Sequence, residues 1–129
     1  AIDCGTLVRR VHMTNVRTWT DRYYTTVDAG DPDATADLFA SDGCYRRGGY
    51  SPMTGDEIRR FYRSQRIIES GRHEIHTVLV NGKTSAVQGS FTGRLRDGRD
   101  VQIEFADFFE FDAEGLITLR TSYFFVAGV

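Results

Sequence analysis

Apolar residues in the first quarter of the chain recur at the spacing of an α-helix. Between Thr14 and Ala29 they fall on one helical face, at Val16, Trp19, Tyr23 and Val27. Gly30 can end this helix, because glycine accepts the left-handed cap conformation. Asp31 and Pro32 then predict a second, short helix, with the aspartate as N-cap and the proline as its first residue.

A third helix is predicted after a short extended segment around Cys44 and Tyr45. Thr54 and Glu57 have the spacing of a capping box, which marks a helix start. The positions that follow at helical spacing are Ile58, Phe61, Tyr62, Gln65 and Ile68. Gly71 is expected to close this helix.

The second half of the chain has the alternation and turn signals of β-strands. Turns are expected at Asn81-Gly82, at Asp97-Gly98 and between Asp112 and Gly115. The strands between them are predicted at His73–Val80, Thr84–Arg96, Arg99–Phe111 and Leu116–Val126. Three helices followed by an antiparallel meander indicate an α+β fold, with a long curled sheet and helices on its concave side.

Length and composition indicate one ordinary globular domain over residues 1–129, in which the segment before Met13 could be an arm or an extension. The formal charge of −2 argues against a nucleic-acid partner, which would require a basic face. No apolar run reaches membrane-spanning length and the start lacks a signal-peptide layout, so we expect a cytoplasmic protein with no membrane partner. Two cysteines, Cys4 and Cys44, are too few for a disulfide framework and lack metal-ligand spacing.

One carboxylate falls on an apolar strand face. Side chains alternate across a strand, which places Asp107 in a row with Val101, Ile103, Phe105, Phe109 and Phe111. Such a group either pairs with a cation or stays protonated, and only the protonated form could donate to developing negative charge. A catalytic and a structural role are both open from this pattern. Arg120 is the candidate partner, because the last strand places it on one face with Ser122 and Phe124.

Three further residues could take part in chemistry, although each is more often structural. Tyr23 lies on the apolar stripe of the first helix, and Asp28 near its end. His76 is in register with Val78 and Val80 and could act as a general base. His73 and His76 are three residues apart on a strand and so point to opposite faces, which argues against a zinc site there. No phosphate-binding glycine loop, nucleophile elbow or CxxC pair is present.

Several segments together resemble ketosteroid isomerase and the SnoaL-like polyketide cyclases. They are Tyr23, Val27–Asp31, Leu38–Gly43, Thr54–Ile58, Phe61–Arg63, and Phe105–Asp112 with Gly115. The resemblance covers nearly everything from Val16 to Phe124. It implies the cone-shaped fold of nuclear transport factor two, in which a curved antiparallel or mixed sheet encloses a pocket. That superfamily includes isomerases, aldol cyclases, dehydratases, epoxide hydrolases and binding modules.

The resemblance also implies roles for individual residues. Tyr23 and Asp107 match the oxyanion-hole tyrosine and the protonated aspartic acid of the isomerase, an enzyme known for keeping that acid neutral. Arg47 stands where the isomerase has its general-base aspartate, and an arginine cannot act as that base. Dehydratases of this fold suggest a different set, Tyr23, Asp28 and His76, with the histidine removing a proton. Of the epoxide-hydrolase set only Asp107 is kept, because Phe105 and Ser122 replace its other two positions.

The sequence therefore favours an enzyme that performs acid/base chemistry, without a cofactor or metal ion, on a small apolar metabolite bearing a carbonyl or hydroxyl group. Cyclisation, isomerisation and dehydration remain open. The catalytic candidates are Asp107, Tyr23, His76 and Asp28. The expected pocket lining is Trp19, Arg47, Phe61, Phe91, Phe105, Arg120, Ser122 and Phe124.

Two other interpretations stay open. A non-catalytic ligand-binding module is the first, because Arg47 stands at the position of the isomerase's general base. An epoxide hydrolase or cyclase is the weaker alternative. Phe108 lies among polar neighbours on the outer sheet face, which together with the resemblance suggests a homodimer.

Overall fold

The computed structural model describes residues 4–126 of the chain, with side chains from Asn15 to Val126. The helices are α1 (Cys4–Asp28), α2 (Pro32–Ala36) and α3 (Asp56–Arg60), and α3 continues into a π-helical turn (Phe61–Gln65). The strands are β1 (Phe39–Arg47), β2 (Met53–Thr54), β3 (Ile68–Asn81), β4 (Thr84–Leu95), β5 (Asp100–Phe111) and β6 (Ile117–Phe125). Within this part of the chain no helix is long and apolar enough to cross a membrane.

The six strands form one mixed, curved and unclosed sheet in the order β2-β1-β6-β5-β4-β3. Strands β3 to β6 make an antiparallel meander, whereas β1 runs parallel to β6. Helix α1 packs against β3 and β4, and α2 packs against α1 and the π-helical turn. The α+β fold predicted from the order of helices and strands is confirmed.

The first helix is longer than the apolar pattern predicts. It begins at Cys4 rather than Thr14, so residues 4–12, which the sequence left as an arm or extension, belong to α1. Residues 1–3 lie outside the described residues. The predicted end is confirmed, because Gly30 follows the helix with a φ of +77°, in the region that favours glycine.

Helix α2 begins where the sequence predicts, whereas α3 begins one residue later than a Thr54 N-cap implies, with Gly55 as its N-cap. Asp31 caps α2 by accepting the backbone N–H of Ala34 at 3.0 Å, an interaction that typically contributes about 1 kcal/mol. Before α3, the carboxylate of Glu57 accepts hydrogen bonds from the backbone N–H and the hydroxyl of Thr54, at 3.4 and 3.2 Å. These side chains therefore fix where the chain enters each helix.

The predicted end of the third helix is wrong. Ile68 and Gly71 lie in β3, because the helix closes earlier with a π-type hydrogen bond from the Arg66 N–H to the Phe61 carbonyl at 2.8 Å. A glycine is needed at position 71 because the ring of Phe91 approaches the backbone closely there, and not because a helix ends there. A Cβ atom at that position would lie 2.2 Å from the ring of Phe91. The glycine thus lets an aromatic ring lie against the sheet.

Strand β3 contains a β-bulge whose extra residue is His76. Ile75 pairs with Gly89 and Thr77 pairs with Gln88, so His76 has no counterpart on β4. A bulge of this kind shifts the alternation of side chains by one position.

The bulge explains why the predicted face of His76 is wrong. The sequence grouped His76 with Val78 and Val80, both of which pack against the hydrophobic core. On the other side of the bulge, His73 and Ile75 point to the concave face, and His76 itself is exposed. His73 and His76 face opposite sides of the sheet, as predicted.

The three predicted turns are confirmed. Gly82, Gly98 and Gly115 all have positive φ values, of 59°, 89° and 88°. The strands between these turns follow their predicted ranges within two residues, except that β3 begins at Ile68 rather than His73.

Candidate active site

A cavity of about 320 Å³ lies on the concave face of the sheet. Most of its wall is apolar and consists of Ile67, Ile68, Phe91, Leu95, Val101, Ile103, Phe105, Phe124 and Val126. The polar side chains in the wall are Tyr23, Arg47, Tyr50, Tyr62, Arg66, His73, Asp107 and Arg120. An apolar cavity with a few converging polar groups is the usual form of a small-molecule site.

Asp107 is the centre of the buried polar cluster, with 1% of its surface exposed. Its Oδ2 accepts hydrogen bonds from the Tyr24 hydroxyl at 2.5 Å and from Arg120 Nη2 at 2.9 Å. Its Oδ1 accepts one from the Ser122 hydroxyl at 2.5 Å. The pairing with Arg120 that the sequence suggested is present. All three contacts use the carboxylate as an acceptor, so they do not favour a neutral acid that donates to a ligand.

Arg120 is enclosed by aromatic rings. Its guanidinium carbon lies 4.3 Å from the ring centre of Tyr23 and 4.6 Å from that of Tyr45. Burial alone would lower the pKa of Arg120, but the negative charge of Asp107 holds that pKa well above its ordinary value. Among the described residues, Arg120 Nε is the buried side-chain atom left without a hydrogen-bond partner.

The hydroxyls of Tyr23 and Tyr62 are 2.6 Å apart in the wall of the cavity. The Tyr62 oxygen also accepts a long hydrogen bond, 3.4 Å, from Arg120. Two hydroxyls carry two protons, and the bond between them uses one, so the other has no acceptor among the described residues. Burial raises the pKa of Tyr23 to about 12 and that of Tyr62 well above its ordinary value. The pair therefore keeps its protons at neutral pH and can offer one to a ligand oxygen.

A hydrogen-bonded chain connects Arg47 with Asp107. Arg47 Nη1 donates to the Tyr45 hydroxyl at 3.1 Å, and that hydroxyl lies 3.2 Å from Ser122 Oγ. Since the Ser122 proton goes to Asp107, Tyr45 must donate to Ser122. Burial opposes ionisation of Tyr45, yet the charges of Arg120 and Arg47 lower its pKa below the ordinary value.

His73 and Asp28 form a second polar pair beside the cavity. The Asp28 carboxylate contacts His73 Nδ1 at 2.5 Å and accepts the His73 backbone N–H at 2.9 Å. A carboxylate only accepts hydrogen bonds, so Nδ1 carries the proton and Nε2 is the basic ring atom. Nε2 makes no hydrogen bond to any residue that the structure describes, and the His73 ring borders the cavity. The rings of Tyr24, Phe91 and Phe105 pack around the imidazole.

The structure brings most of the sequence-predicted site residues to this cavity. Its wall contains Tyr23, Arg47, Phe91, Phe105, Asp107, Arg120 and Phe124. Asp28 and Ser122 do not line the cavity themselves. They form hydrogen bonds with two residues that do, Asp28 with His73 and Ser122 with Asp107.

Three expected site residues lie elsewhere. Trp19 packs on Phe111 and against Gly115, away from the cavity. Phe61 is fully buried in the core, and its ring packs against those of Tyr45, Tyr50 and Tyr62. His76 is exposed on the outer face, where the Ser90 hydroxyl is 3.5 Å from its Nε2.

The polar site residues that the sequence argument missed are Tyr24, Tyr45, Tyr50, Tyr62, Arg66 and His73. His73 alternates with Ile75 on the concave face, and this pattern was available in the sequence. Tyr62 was assigned to the apolar side of a helix, but the π-helical turn that directs its hydroxyl has no clear sequence signal. Among the described side chains, no three His, Cys, Asp or Glu residues are grouped to hold a metal ion.

A curved sheet with three helices, enclosing an apolar cavity with buried polar groups, defines the cone fold of nuclear transport factor two-like proteins. The sequence model of the SnoaL-like domain matches residues 20–120. The chain therefore belongs to the SnoaL-like domain family. The sequence has no match among curated proteins.

Solved structures of several enzymes share the fold. One is the epoxide hydrolase/cyclase-like enzyme SalBIII, which has a role in pyran ring formation in the polyether salinomycin. It is 20% identical, with a TM-score of 0.77, and the match covers 88% of this chain and 92% of that one. An LEH-like epoxide hydrolase from M. tuberculosis is 20% identical with a TM-score of 0.75, over 88% and 84%. BvnE pinacolase from Penicillium brevicompactum is 14% identical with a TM-score of 0.77, over 88% and 87%. At these identities the likeness establishes the fold alone.

Proposed function

We propose that this protein is an enzyme that performs acid/base chemistry on a small, largely apolar metabolite carrying a carbonyl or hydroxyl group. The observation that carries the proposal is that the His73–Asp28 pair and the Tyr23–Tyr62 pair border one apolar cavity. A base and a proton donor in one cavity are what proton removal next to a carbonyl requires.

His73 is the general base of the proposed mechanism. Asp28 holds Nδ1–H, which fixes the ring orientation and leaves Nε2 to take a proton from a substrate carbon. The positive charge that forms on the imidazole is then stabilised by the Asp28 carboxylate. Positioned bases of this type typically contribute about 10²–10⁴-fold to a rate. His73 takes the role that the sequence argument gave to His76.

The Tyr23–Tyr62 pair is the proton donor. Its free hydroxyl proton binds the substrate oxygen, which gains negative charge as the proton leaves the carbon. Arg120, which donates to Tyr62 and lies over the ring of Tyr23, strengthens this donor electrostatically. Asp107 holds Arg120 in that position and so acts through it, rather than by touching the substrate.

Cyclisation, isomerisation and dehydration share this first proton transfer. The relatives of the same fold act, by their descriptions, in pyran ring formation, as an epoxide hydrolase and as a pinacolase. They support an oxygenated small molecule as substrate without favouring one of the three reactions.

The test is deuterium exchange into 2-tetralone, a small apolar ketone, followed by proton NMR in D₂O. The base removes a proton from the carbon beside the carbonyl, the tyrosine pair holds the enolate oxygen, and a deuteron returns to the carbon. We expect the protein to accelerate exchange and His73→Gln to lower that acceleration at least about 100-fold. The matched control is His76→Gln, on the same strand but outside the cavity, which should exchange like the unaltered protein.

Exchange no faster than in buffer, or equally fast in His73→Gln, would contradict the proposal. A protein that binds 2-tetralone in the cavity without exchange would instead be the non-catalytic binding module that Arg47 suggested.

The homodimer stays a prediction. Phe108, Tyr123 and Phe125 are exposed on the outer sheet face, and the first two rings are in contact with their centres 5.9 Å apart. An exposed aromatic group of this kind supports association of two copies through the sheet.

A further inference from the structure

Two arginines of the cavity wall have no carboxylate partner. Arg47 and Arg66 are both half-buried, and neither forms an ion pair with any residue that the structure describes. An arginine on an open surface needs no partner because water solvates it. Beside an apolar cavity the same group lacks part of that solvation, and an anion in the cavity would replace it.

Arg47 is held in place by its neighbours. Its guanidinium carbon lies 4.7 Å from the ring centre of Phe124 and 5.4 Å from that of Phe61. One of its nitrogens, Nη1, donates to Tyr45, and the others make no hydrogen bond within the described part of the chain. The rings therefore orient a charged group that still has donors to offer.

Arg66 is anchored through its backbone. Its N–H closes the π-helical turn on Phe61 at 2.8 Å, and its carbonyl accepts a hydrogen bond from Arg96 Nε at 2.7 Å. Its side chain makes no hydrogen bond to a described residue and borders the cavity. The charge of Arg66 also acts to lower the pKa of Tyr23, against the larger effect of burial, so that charge reaches the polar end of the cavity.

The charge balance of the wall is positive. Three guanidinium groups line the cavity, of Arg47, Arg66 and Arg120, whereas Asp107 is the one carboxylate among the described lining residues. Asp107 is already paired with Arg120. Two positive charges are therefore left over among the lining residues, and the Asp28 carboxylate behind His73 offsets one of them, in a chain whose formal charge is −2. Charge of one sign in a cleft with apolar walls attracts ligands of the opposite sign.

We infer that the cavity takes an apolar carboxylate, whose anionic end binds Arg47 and Arg66 while its hydrocarbon part contacts the aromatic wall. The planar forks of two guanidinium groups match the geometry of a carboxylate. The inference rests on the proposed function, because it names the class of substrate for the same cavity.

The experiment compares two ligands of nearly identical shape, 1-naphthaleneacetate and 1-naphthaleneacetamide. Their affinities are measured by isothermal titration calorimetry at pH 7.5, in 50 mM and in 500 mM salt. We expect the carboxylate to bind at least about tenfold more tightly than the amide at low salt, which corresponds to about 1.4 kcal/mol. The higher salt concentration should weaken binding of the carboxylate alone.

Arg47→Gln and Arg66→Gln should each reduce the affinity for the carboxylate several-fold and leave that for the amide unchanged. The matched control is Arg63→Gln, an exposed arginine that pairs with Asp33 outside the cavity. Equal affinities for the two ligands, a preference unchanged in both variants, or no binding of either ligand at millimolar concentration would overturn the inference.

The outcome separates this inference from the proposed function. His73→Gln should lower the acceleration of 2-tetralone exchange at least about 100-fold and keep the preference for the carboxylate. A protein that prefers the carboxylate without catalysing exchange refutes the proposed chemistry only. Exchange without that preference refutes the anionic substrate only.

Discussion

Replacement of Asp107 by asparagine tests whether the buried ion pair with Arg120 stabilises the sheet beside the cavity. Asp107 and Arg120 are 1% and 4% exposed, so water can solvate little of the Arg120 charge once the carboxylate is removed. Two unit charges 2.9 Å apart attract by about 6 kcal/mol at an effective dielectric constant of about 20. Asparagine keeps an acceptor for Tyr24 and Arg120 and loses the charge, and it leaves an uncompensated cation in the core.

We therefore expect Asp107→Asn to lose about 3–5 kcal/mol in the free energy of unfolding, the usual cost of removing one partner of a buried pair. That loss is a large part of the total stability of about 5–15 kcal/mol that a domain has. The measurement is urea denaturation at pH 7, followed by circular dichroism. Glu104→Gln, on the outer face of the same strand, is the matched control and should stay within about 0.5 kcal/mol.

A double variant separates charge from packing. Asp107→Asn with Arg120→Met removes the unpaired cation, so it should be less destabilised than the sum of the two single changes. A loss below about 1 kcal/mol in Asp107→Asn, or strict additivity in the double variant, would refute the reasoning.

Two further predictions concern the tyrosines and the glycines. Because burial holds the pKa of Tyr23 at about 12, against about 10 in the unfolded chain, stability should be intact below pH 10 and fall as pH rises towards 12. A spectrophotometric tyrosine titration checks this, and ionisation of all tyrosines near pH 10 in the folded protein would contradict it. Gly93→Ala places a Cβ 2.5 Å from the Phe91 ring and 2.4 Å from a backbone oxygen, so it should cost about 1–3 kcal/mol in urea denaturation. Gly48→Ala, which has open space around its Cβ, should cost much less, and an equal cost would contradict the packing argument.

The side-chain alternation of β5 and β6 is the part of the site that the sequence predicts well. The pairing of β5 with β6 is regular from Glu104 to Glu110, so parity alone placed that carboxylate inside and put Arg120 on one face with Ser122, the residue directly opposite Asp107. The helix starts and the hairpin turns were predictable for a similar reason. They depend on single residues, such as Asp31 and Gly82, whose local chemistry acts without the rest of the fold.

The base and the proton donor could not be predicted in the same way. The bulge at His76 reverses the parity of β3, and the glycine opposite it, Gly89, lies on the neighbouring strand, where only the pairing of β3 with β4 connects it to the bulge. Tyr62 depends on a π-helical turn, which a pattern of period 3.6 does not reveal. Tyr24, which follows Tyr23 on α1, donates a hydrogen bond to Asp107, although the two residues are 83 positions apart along the chain. Such contacts follow from packing between distant elements.

The bulge in β3 also determines how this strand tolerates changes of length. The residues before it, with His73, form the cavity wall, and the residues after it, with Val78 and Val80, form part of the core. Deletion of His76 would restore regular alternation and leave both halves on their present faces, because Ile75 and Thr77 already pair with the consecutive residues Gly89 and Gln88. What the deletion would remove is the local bend that a bulge gives to a strand, so β3 would straighten beside the cavity. A single residue without a place in the cavity thus determines how the strand bends between the site and the core.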